Sequence, residues 1–205
     1  MPHYFDERTT TASDVVSFDV ALADVAFSIR SDRGVFSHGH LDNGTSLLLK
    51  EGPVLPPAGA FLDIGCGAGP IAIAMALRSP GATVWAIDVN ERARALTATN
   101  AKRNSAANVR VASPDEVPAD LLFDEIWSNP PIRIGKAALH DLLTTWIARL
   151  ASSGRMVLVV QKHLGADSLQ TWLNQQGVQA ERVASRSGFR LISVARNDPA
   201  TAPSP

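Results

Sequence analysis

A glycine-rich loop between two apolar runs is the feature that most limits how this chain can fold. Residues 63–70 read Asp-Ile-Gly-Cys-Gly-Ala-Gly-Pro, with apolar runs over Ala60–Ile64 and Ile71–Leu77 on either side. Glycine allows a tight turn and a close approach of the backbone to a ligand. Pro70 is tolerated in the first turn of a helix. The segment therefore predicts a strand, a ligand-binding loop and a helix, in that order.

Strands and helices alternate along the rest of the chain. Apolar runs predict further strands over Thr83–Ile87, Val109–Ala112, Phe123–Trp127 and Met156–Val160. Helical spacing predicts a short helix through Leu47–Leu49 and longer helices over residues 91–104 and 137–150. Such alternation is typical of a parallel sheet covered by helices. Four tryptophans fall in these apolar segments or near them and are predicted to lie in the core: Trp85, Trp127, Trp146 and Trp172.

Two pairs of β-rich runs predict antiparallel hairpins, one near each end of the chain. The first pair is Asp14–Val20 with Val25–Arg30, and the second is Ala180–Ser185 with Phe189–Ala195. We expect an α/β architecture with a mostly parallel seven-stranded sheet, an antiparallel C-terminal strand and an N-terminal β-hairpin. The 205 residues fit one domain. We place it over residues 1–196, with an accessory hairpin over 14–30 and a disordered tail over 197–205.

Composition excludes several classes of protein. A net charge of −1 and a pI near 6.5 exclude the strongly basic surface of many nucleic-acid binders, so an RNA substrate requires a local basic patch. No apolar stretch reaches the roughly 18 residues of a membrane span, and the N-terminus lacks a signal peptide, so we expect a cytoplasmic protein. The single cysteine, Cys66, cannot form an internal disulfide and lacks metal-ligand spacing, so we expect no metal.

The loop itself predicts a nucleotide-like cofactor. Dinucleotide-binding loops of the Gly-x-Gly-x-x-Gly type end in a glycine, whereas this loop has Pro70 at that place. A carboxylate at Asp63 is unfavourable beside a pyrophosphate but favourable beside the ammonium of an amino acid. Both observations favour S-adenosylmethionine. The loop contacts would come from four residues: Gly65, Cys66, Gly67 and Gly69.

Two further acidic residues are candidates for contacts to this cofactor. Asp88 closes the second strand nineteen positions after Gly69, where it can accept hydrogen bonds from ribose hydroxyls. Asp88 therefore supports a nucleoside-containing cofactor, but it does not distinguish S-adenosylmethionine from a nicotinamide cofactor. Asp115, within Ser113–Glu116, is a candidate acceptor for the adenine amino group. The alternative is a glycine turn that only joins strand and helix, with Asp88 as a solvated strand end.

The tetrapeptide Asn129-Pro130-Pro131-Ile132 follows the fourth strand of the parallel series, at the sheet edge where such folds bind ligands. The Asn129 side-chain oxygen and the Pro130 carbonyl could accept both hydrogens of a planar amino group and favour a tetrahedral nitrogen. Asn129 would also face the methyl group of the donor. No strong general base is required, because the nitrogen becomes acidic once it is methylated. The alternative is an ordinary rigid turn.

Three motifs together resemble a known family: Gly34-Val-Phe-Ser37 with Leu41-Asp-Asn-Gly-Thr45, Asp63–Gly69, and Ser128–Lys136. The chain is similar to Rossmann-like class I S-adenosylmethionine-dependent methyltransferases of the small-domain ribosomal RNA guanine methyltransferase family. That family modifies the exocyclic amino group of a guanine in small-subunit RNA. The resemblance covers about residues 14–196. It implies cofactor contacts from Gly44 and Thr45, because the first motif lies over the donor in relatives.

Two departures from the family pattern bear on the substrate. Larger members carry an additional methyltransferase-like domain before this one, and 205 residues leave no room for it. Relatives that methylate adenine or glutamine usually have an aromatic residue after Pro-Pro, whereas this chain has Ile132, which loses aromatic stacking. The resemblance thus favours guanine over adenine or glutamine.

Basic residues beside the Asn-Pro-Pro turn are candidates for substrate binding. Arg133, Lys136 and Lys162 could contact phosphates, or could be solvated loop charges. The expected partner is ribosomal RNA or a precursor of the small ribosomal subunit, and the oligomeric state is left open. Two alternatives remain: a methyltransferase of a protein glutamine or a small-molecule amine, and a non-catalytic RNA-binding or assembly module.

Overall fold

A computed structural model describes residues 12–35 and 38–197. The strands within these ranges are β1 Val16–Ala21, β2 Ala26–Ser31, β3 Ala58–Ile64, β4 Gly81–Ile87, β5 Val109–Ala112, β6 Phe123–Ser128, β7 Leu150–Gln161, β8 Val178–Arg186 and β9 Phe189–Arg196. The α-helices are α1 Asn43–Glu51, α2 Pro70–Arg78, α3 Glu91–Arg103, α4 Lys136–Ile147 and α5 Ala166–Gln175. In the described part of the chain, no helix is both long and apolar enough to span a membrane.

Seven strands form one twisted sheet in the order β5-β4-β3-β6-β7-β9-β8. The strands from β3 to β7 pair in parallel, and β9 runs antiparallel to both of its neighbours. The remaining strands, β1 and β2, form a separate antiparallel hairpin. The predicted α/β architecture is confirmed. Strand order reverses between β3 and β6, whose last residues, Ile64 and Ser128, are register partners. Open α/β sheets bind ligands at such a point.

The core lies on both faces of the sheet. Alternate residues of a strand point to opposite faces, so Phe61 packs with helices α1 to α3 and the adjacent Leu62 packs with α4 and α5. Burial on two faces explains why the end of β3 and the middle of β7 are mostly apolar rather than alternating. The same burial holds the carboxyl ends of β3, β4 and β6 rigidly in place beneath the loops that follow them.

The β1–β2 hairpin is attached to α3 by two asparagine side chains. Asn100 accepts a hydrogen bond from the Arg30 amide (2.9 Å) and donates one to the Arg30 carbonyl (2.8 Å). Asn104 does the same with Ser28, at 3.0 and 2.8 Å. Asn100 also donates to the carbonyl of Ala68 in the glycine loop, at 2.8 Å. The hairpin, α3 and the loop are thus joined by one buried polar network.

Three details of the predicted elements are wrong. Helix α5 was not predicted; its side chains are mostly polar, and a few apolar residues such as Leu169 and Leu173 anchor it. Helix α4 ends at Ile147 rather than Leu150, because Leu150 pairs with Phe123 and begins β7. Gly154 therefore lies within β7, not before it, where a Cβ would come within 2.5 Å of the Phe123 carbonyl oxygen.

Two of the four tryptophans are only partly buried, although both pack against the core. Trp127 and Trp146 are buried, as predicted. Trp85 is half-buried because the connection from β5 to β6 contains only a short 3-10 helix, which leaves that face of β4 uncovered; the guanidinium carbon of Arg110 lies 5.9 Å from its ring centroid. Trp172 is half-buried and stacks on His140, with ring centroids 3.6 Å apart.

The described residues cover most of the predicted domain but only the first residue of the predicted tail. Residues 198–205, most of the predicted tail, lie outside the described residues. Asn197, the first residue of that predicted tail, donates a hydrogen bond to the Gly177 carbonyl at 2.8 Å. The assignment of residues 1–196 to one domain remains a prediction.

Candidate donor and acceptor sites

The glycine loop is tied to the end of β4. The amides of Gly65 and Cys66 both donate to the Ile87 carbonyl, at 2.9 and 3.0 Å. Gly65 has φ of +73°, and a Cβ placed there would find no atom within 4 Å. Gly69 has φ of +88°, and its Cβ would meet Thr97 of α3 at 2.9 Å. Gly65 thus borders open space that a ligand can occupy, whereas Gly69 permits close packing between the loop and α3.

Asp63 is fully buried and carries an unpaired acceptor. Its Oδ2 accepts a hydrogen bond from the Ala72 amide at 3.0 Å, while Oδ1 has no partner among the described residues. Burial raises the pKa of Asp63 to about 8, and the negative charge of Asp88 adds to this increase. A buried acceptor without a partner costs free energy. The ammonium group of an amino acid would supply the missing donor, so this residue fits the predicted cofactor.

Asp88 holds the loop from the other side. Its Oδ2 accepts from the Gly67 amide at 3.0 Å and its Oδ1 from the Asn90 amide at 2.9 Å. Its side chain is buried, and this burial raises its pKa despite the two hydrogen bonds. The alternative of a solvated strand end therefore does not fit Asp88. Each carboxylate oxygen keeps a second lone pair that a ribose hydroxyl could use.

Cys66 is a structural thiol. It is buried, and its sulfur accepts a hydrogen bond from the Thr97 hydroxyl at 3.4 Å. Burial, together with the charges of Asp63 and Asp88, raises the pKa of Cys66 well above its ordinary value. The thiolate needed for nucleophilic chemistry is thus disfavoured.

A small cavity joins the glycine loop to the Asn-Pro-Pro turn. Its walls come from the loop, the start of α1, the hairpin and the end of β6, and they include Gly65, Cys66, Gly67, Thr45, Asp42, Phe18, Ile29 and Asn129. The structure therefore brings together three of the four predicted loop residues, Gly65, Cys66 and Gly67, with Thr45 and Asn129. The hairpin residues and Asp42 were not predicted; alternation along β1 and β2 marks an apolar face but not what that face covers.

Five predicted cofactor residues are not among the residues that line this cavity: Gly44, Asp63, Gly69, Asp88 and Asp115. Asp63 and Gly69 belong to the loop segment, and Asp88 accepts a hydrogen bond from its Gly67 amide, whereas Gly44 and Asp115 lie elsewhere. Gly44 packs at the start of α1, where a Cβ would meet the Phe189 ring at 2.9 Å. Asp115 is exposed on the 3-10 helix Pro114–Glu116, and a hydrogen bond with Ser113 lowers its pKa. The roles of both residues toward a cofactor remain predictions.

The side-chain amide of Asn129 is held in one orientation. Its nitrogen donates to Asp42 Oδ2 at 2.8 Å and to Thr45 Oγ1 at 3.0 Å. A carboxylate only accepts hydrogen bonds, so the group facing Asp42 is the NH2 group and not the oxygen. The Asn129 oxygen consequently faces the other way, and no described residue donates to it.

The two prolines form a rigid turn next to this oxygen. Pro131 has φ of −74° and ψ of 74°, the conformation of an inverse γ-turn, and the Ile132 amide donates to the Pro130 carbonyl at 2.8 Å. The Pro130 oxygen keeps a second lone pair. At the base of the turn, the Ser128 hydroxyl donates to the Ile64 carbonyl at 2.8 Å. Two acceptor atoms are thus held on a turn that is fixed to the sheet.

Basic side chains lie at the same edge of the sheet. Lys136 begins α4 and Lys162 follows β7, and both are exposed. Arg133 belongs to a 3-10 helix over Ile132–Ile134, and its side chain is outside the described part of the structure. Arg186, which was not predicted, ends β8 beside Lys162, whose amide donates to the Gly188 carbonyl at 2.7 Å. The turn from β8 to β9 thus adds a further cation to this edge.

Relatives of known sequence include both an uncharacterised protein and named enzymes. YbxB of Bacillus subtilis, described as uncharacterised, is 34% identical over 193 residues, which is 93% of this chain and 96% of that protein. Ribosomal RNA small subunit methyltransferase C of Pseudomonas syringae is 33% identical over 184 residues, covering 87% of this chain and 54% of that protein. The Shewanella amazonensis protein of the same name is 38% identical over 135 residues, 64% of this chain and 39% of that protein. The chain spans about half the length, or less, of these named enzymes.

Solved structures share the fold. The Thermus thermophilus 16S rRNA N2 G1207 methyltransferase, in complex with AdoMet and guanosine, has a TM-score of 0.75 at 19% identity, over 93% of this chain and 52% of that one. The ribosomal protein L11 methylase of Lactobacillus delbrueckii has a TM-score of 0.61 at 21% identity, over 75% of this chain and 76% of that one. The family described as methyltransferase small domain matches residues 26–193. The chain therefore belongs to the methyltransferase small domain family.

Proposed function

We propose that the protein transfers a methyl group from S-adenosylmethionine to the exocyclic amino group of a guanine in small-subunit ribosomal RNA. The observation that carries this proposal is the pair of acceptor atoms, the Asn129 side-chain oxygen and the Pro130 carbonyl, beside the cavity that the glycine loop borders. Two neighbouring acceptors fit the two hydrogens of an amino group. A hydroxyl acceptor would use only one of them.

The donor side of the cavity suits S-adenosylmethionine. The unpaired Oδ1 of Asp63 fits an ammonium group, and the buried carboxylate of Asp88 fits ribose hydroxyls. The bound cofactor supplies an electrophilic methyl group on a sulfonium. Gly65 lines the cavity, and a Cβ there would have no atom within 4 Å, so the space beside it is open to this ligand.

The acceptor side makes a poor nucleophile more reactive. The nitrogen of an exocyclic amino group has its lone pair drawn into the ring, so it attacks poorly while it is planar. Hydrogen bonds to the Asn129 oxygen and the Pro130 carbonyl hold both hydrogens on one side and favour a tetrahedral nitrogen, whose lone pair then points away from them. Because both acceptors are already oriented, little reorganisation is needed in the transition state. The proton is lost after methylation without a strong base in the site.

Sequence relatives and charge support an RNA substrate. The Pseudomonas and Shewanella relatives are named as ribosomal RNA methyltransferases, and they are 33% and 38% identical to this chain. Lys136 and Lys162 are exposed at the edge that holds the Asn-Pro-Pro turn, and Arg186 is also exposed there, although its guanidinium lies 3.5 Å from the Glu51 carboxylate. Such a local patch suits phosphate contacts in a protein whose net charge is near zero. Ile132 in place of an aromatic residue favours guanine over adenine and glutamine.

Methyl transfer to RNA from cells that lack the protein tests the proposal. Tritiated S-adenosylmethionine is incubated with the protein and with ribosomal RNA, 30S subunits or their precursors from the deletion strain, and labelled nucleotides are identified by mass spectrometry. We expect N2-methylguanine in small-subunit RNA. Asn129→Ala should lower the rate on the order of a hundredfold, as removal of one preorganised polar contact does in other enzymes, while donor affinity measured by calorimetry changes little.

Other products would replace this assignment. Label in a protein glutamine or in a small-molecule amine would identify a different class of methyl acceptor and refute the RNA assignment. Donor binding without any transfer, under conditions in which a control enzyme labels the same RNA, would point to a non-catalytic module.

A further inference from the structure

The geometry points to Asp42 as the positioning residue that selects the reactive orientation of the Asn129 amide. This inference rests on the proposed function, because it concerns how the acceptor group of that site is oriented. Asp42 lies 87 positions before Asn129 in the chain, and both residues line the same cavity. Its contribution is to decide which end of the Asn129 amide faces the acceptor.

An asparagine side chain has two orientations of nearly the same shape, related by a half turn about its last bond. Only one of them places an acceptor oxygen where the substrate amino group must bind. The other places an NH2 group there, and two NH2 groups cannot satisfy each other. Free rotation would therefore leave Asn129 unproductive for part of the time, so the site needs a group that distinguishes the two ends.

Asp42 makes this distinction by charge. Its Oδ2 lies 2.8 Å from the Asn129 nitrogen, and the Thr45 hydroxyl oxygen lies 3.0 Å from the same nitrogen. In the turned orientation the Asn129 oxygen would face the Asp42 carboxylate, and two acceptors at that distance repel. The NH2 group is instead held by a charge-assisted hydrogen bond, which is stronger than a neutral one. The Asn129 oxygen is thereby directed away from α1.

The Asp42 carboxylate is itself fixed by helix α1. Asp42 is the N-cap residue, and its Oδ2 accepts from the Thr45 amide at 3.0 Å. A Cβ at Gly44 would come within 3.0 Å of the same oxygen, so glycine leaves room for the carboxylate at this position. Buried leucines such as Leu48 anchor the helix in the core. One carboxylate oxygen thus caps a rigid helix and orients Asn129 at the same time.

Two substitutions at Asp42 separate the cap from the positioning role. Asp42→Ser keeps a capping hydroxyl, but its side chain is too short to reach Asn129. Asp42→Asn keeps an oxygen at the position of Oδ2, which in the wild type accepts hydrogen bonds from the Thr45 amide and the Asn129 side chain. We expect Asp42→Ser to lower kcat by about tenfold or more, the value of a charged hydrogen bond, with little change in the affinity for S-adenosylmethionine. Asp42→Asn should restore most of this loss. Asp19→Ser, which removes an exposed carboxylate from β1 outside the cavity lining, is the matched control.

A double-mutant cycle shows whether Asp42 acts through Asn129. In the Asn129→Ala background there is no amide to orient, so Asp42→Ser should have no further effect on kcat. The inference is wrong if Asp42→Ser lowers kcat by the same factor in the wild type and in Asn129→Ala. It is also wrong if Asp42→Ser leaves kcat unchanged in both. Thr45→Val removes the hydroxyl that also accepts a hydrogen bond from the Asn129 nitrogen and leaves Asp42 in place. We expect it to lower kcat by a smaller factor than Asp42→Ser does.

A measurement without turnover separates this inference from the proposed function. The side-chain NH2 group of Asn129 gives a nitrogen-15 NMR signal that is identified by its loss in Asn129→Ala. We expect it to exchange slowly with water in the wild type and in Asp42→Asn, and faster in Asp42→Ser. Equal protection in all three proteins would overturn the positioning role even if RNA is methylated. Absence of RNA methylation with the expected exchange pattern would refute only the proposed substrate.

Discussion

Replacement of Asp63 by asparagine should change how the stability of the unliganded protein depends on pH. Burial raises the pKa of Asp63 to about 8 in the folded protein, from an ordinary value of 3.8. Between these two values the folded state keeps a proton that the unfolded state has lost. The free energy of unfolding of the wild type therefore falls as the pH rises through this window. Asp63→Asn carries no titrating group and removes this contribution.

The magnitude follows from the difference in pKa. Each pH unit within the window changes the free energy of unfolding by about 1.4 kcal/mol for one proton. Between pH 5 and pH 7 the wild type should lose roughly 2.5 kcal/mol more than Asp63→Asn, since the curve bends near each end of the window. Carboxylates that do not interact with Asp63 titrate alike in both proteins and cancel in the comparison, whereas Asp88, whose charge acts on Asp63, contributes to the difference. An asparagine oxygen can still accept the hydrogen bond of the Ala72 amide.

Urea-induced unfolding at pH 5, 6 and 7 provides the assay, with the fluorescence of the buried Trp127 and Trp146 as the signal. Both proteins must be stripped of bound donor beforehand. Parallel pH dependences for the wild type and Asp63→Asn would refute the reasoning, because they would mean that Asp63 is ionised in the folded state. The same variant should bind S-adenosylmethionine weakly, since an amide NH2 group cannot accept a hydrogen bond from an ammonium.

Three other substitutions test the loop and the hairpin network. Gly65→Ala should weaken donor binding in calorimetry. The φ of +73° is strained for alanine, and the added Cβ would occupy the open space that the donor needs. Gly69→Ala should lower the urea midpoint by more than Gly65→Ala does, because its Cβ also collides with Thr97; the reverse order would contradict this account. Asn100→Ala should lower the free energy of unfolding by about 1–3 kcal/mol, since the buried Ala68 carbonyl and the part-buried backbone of Arg30 lose their hydrogen bonds. An unchanged urea midpoint would count against the network.

Local patterns predict the parallel part of the fold well. Strand β3 is buried from Phe61 to Ile64, and β7 is buried from Met156 to Val160, so these two segments are mostly apolar without strict alternation. Helix α5 was missed although Ala166, Leu169 and Leu173 stand at helical spacing, because nothing in the sequence marks where it begins. Gly165 precedes it in a left-handed conformation without a side-chain cap, and the helix has few apolar residues. Trp85 is partly exposed because the β5–β6 connection contains no α-helix to cover it. The sequence of β4 itself cannot reveal this.

The site was predictable to the extent that its parts are contiguous in sequence. The glycine loop and the Asn-Pro-Pro turn each carry their chemistry within a few residues, and strand order places them at one edge of the sheet. The contact between Asp42 and Asn129 joins two segments far apart in the chain, and no local spacing encodes it. Likewise, Phe18 and Ile29 reach the cavity only because α3 holds the hairpin there.

The asparagines of α3 also affect how this protein meets other copies of itself. A two-stranded sheet has free edges, and unpaired backbone groups on an edge can pair with a strand from another molecule. On β2, the amides and carbonyls of Ser28 and Arg30 are already paired with Asn104 and Asn100. The two side chains act as a short third strand that no further strand can extend. The hairpin over the cavity is therefore protected on this edge against aggregation by strand addition.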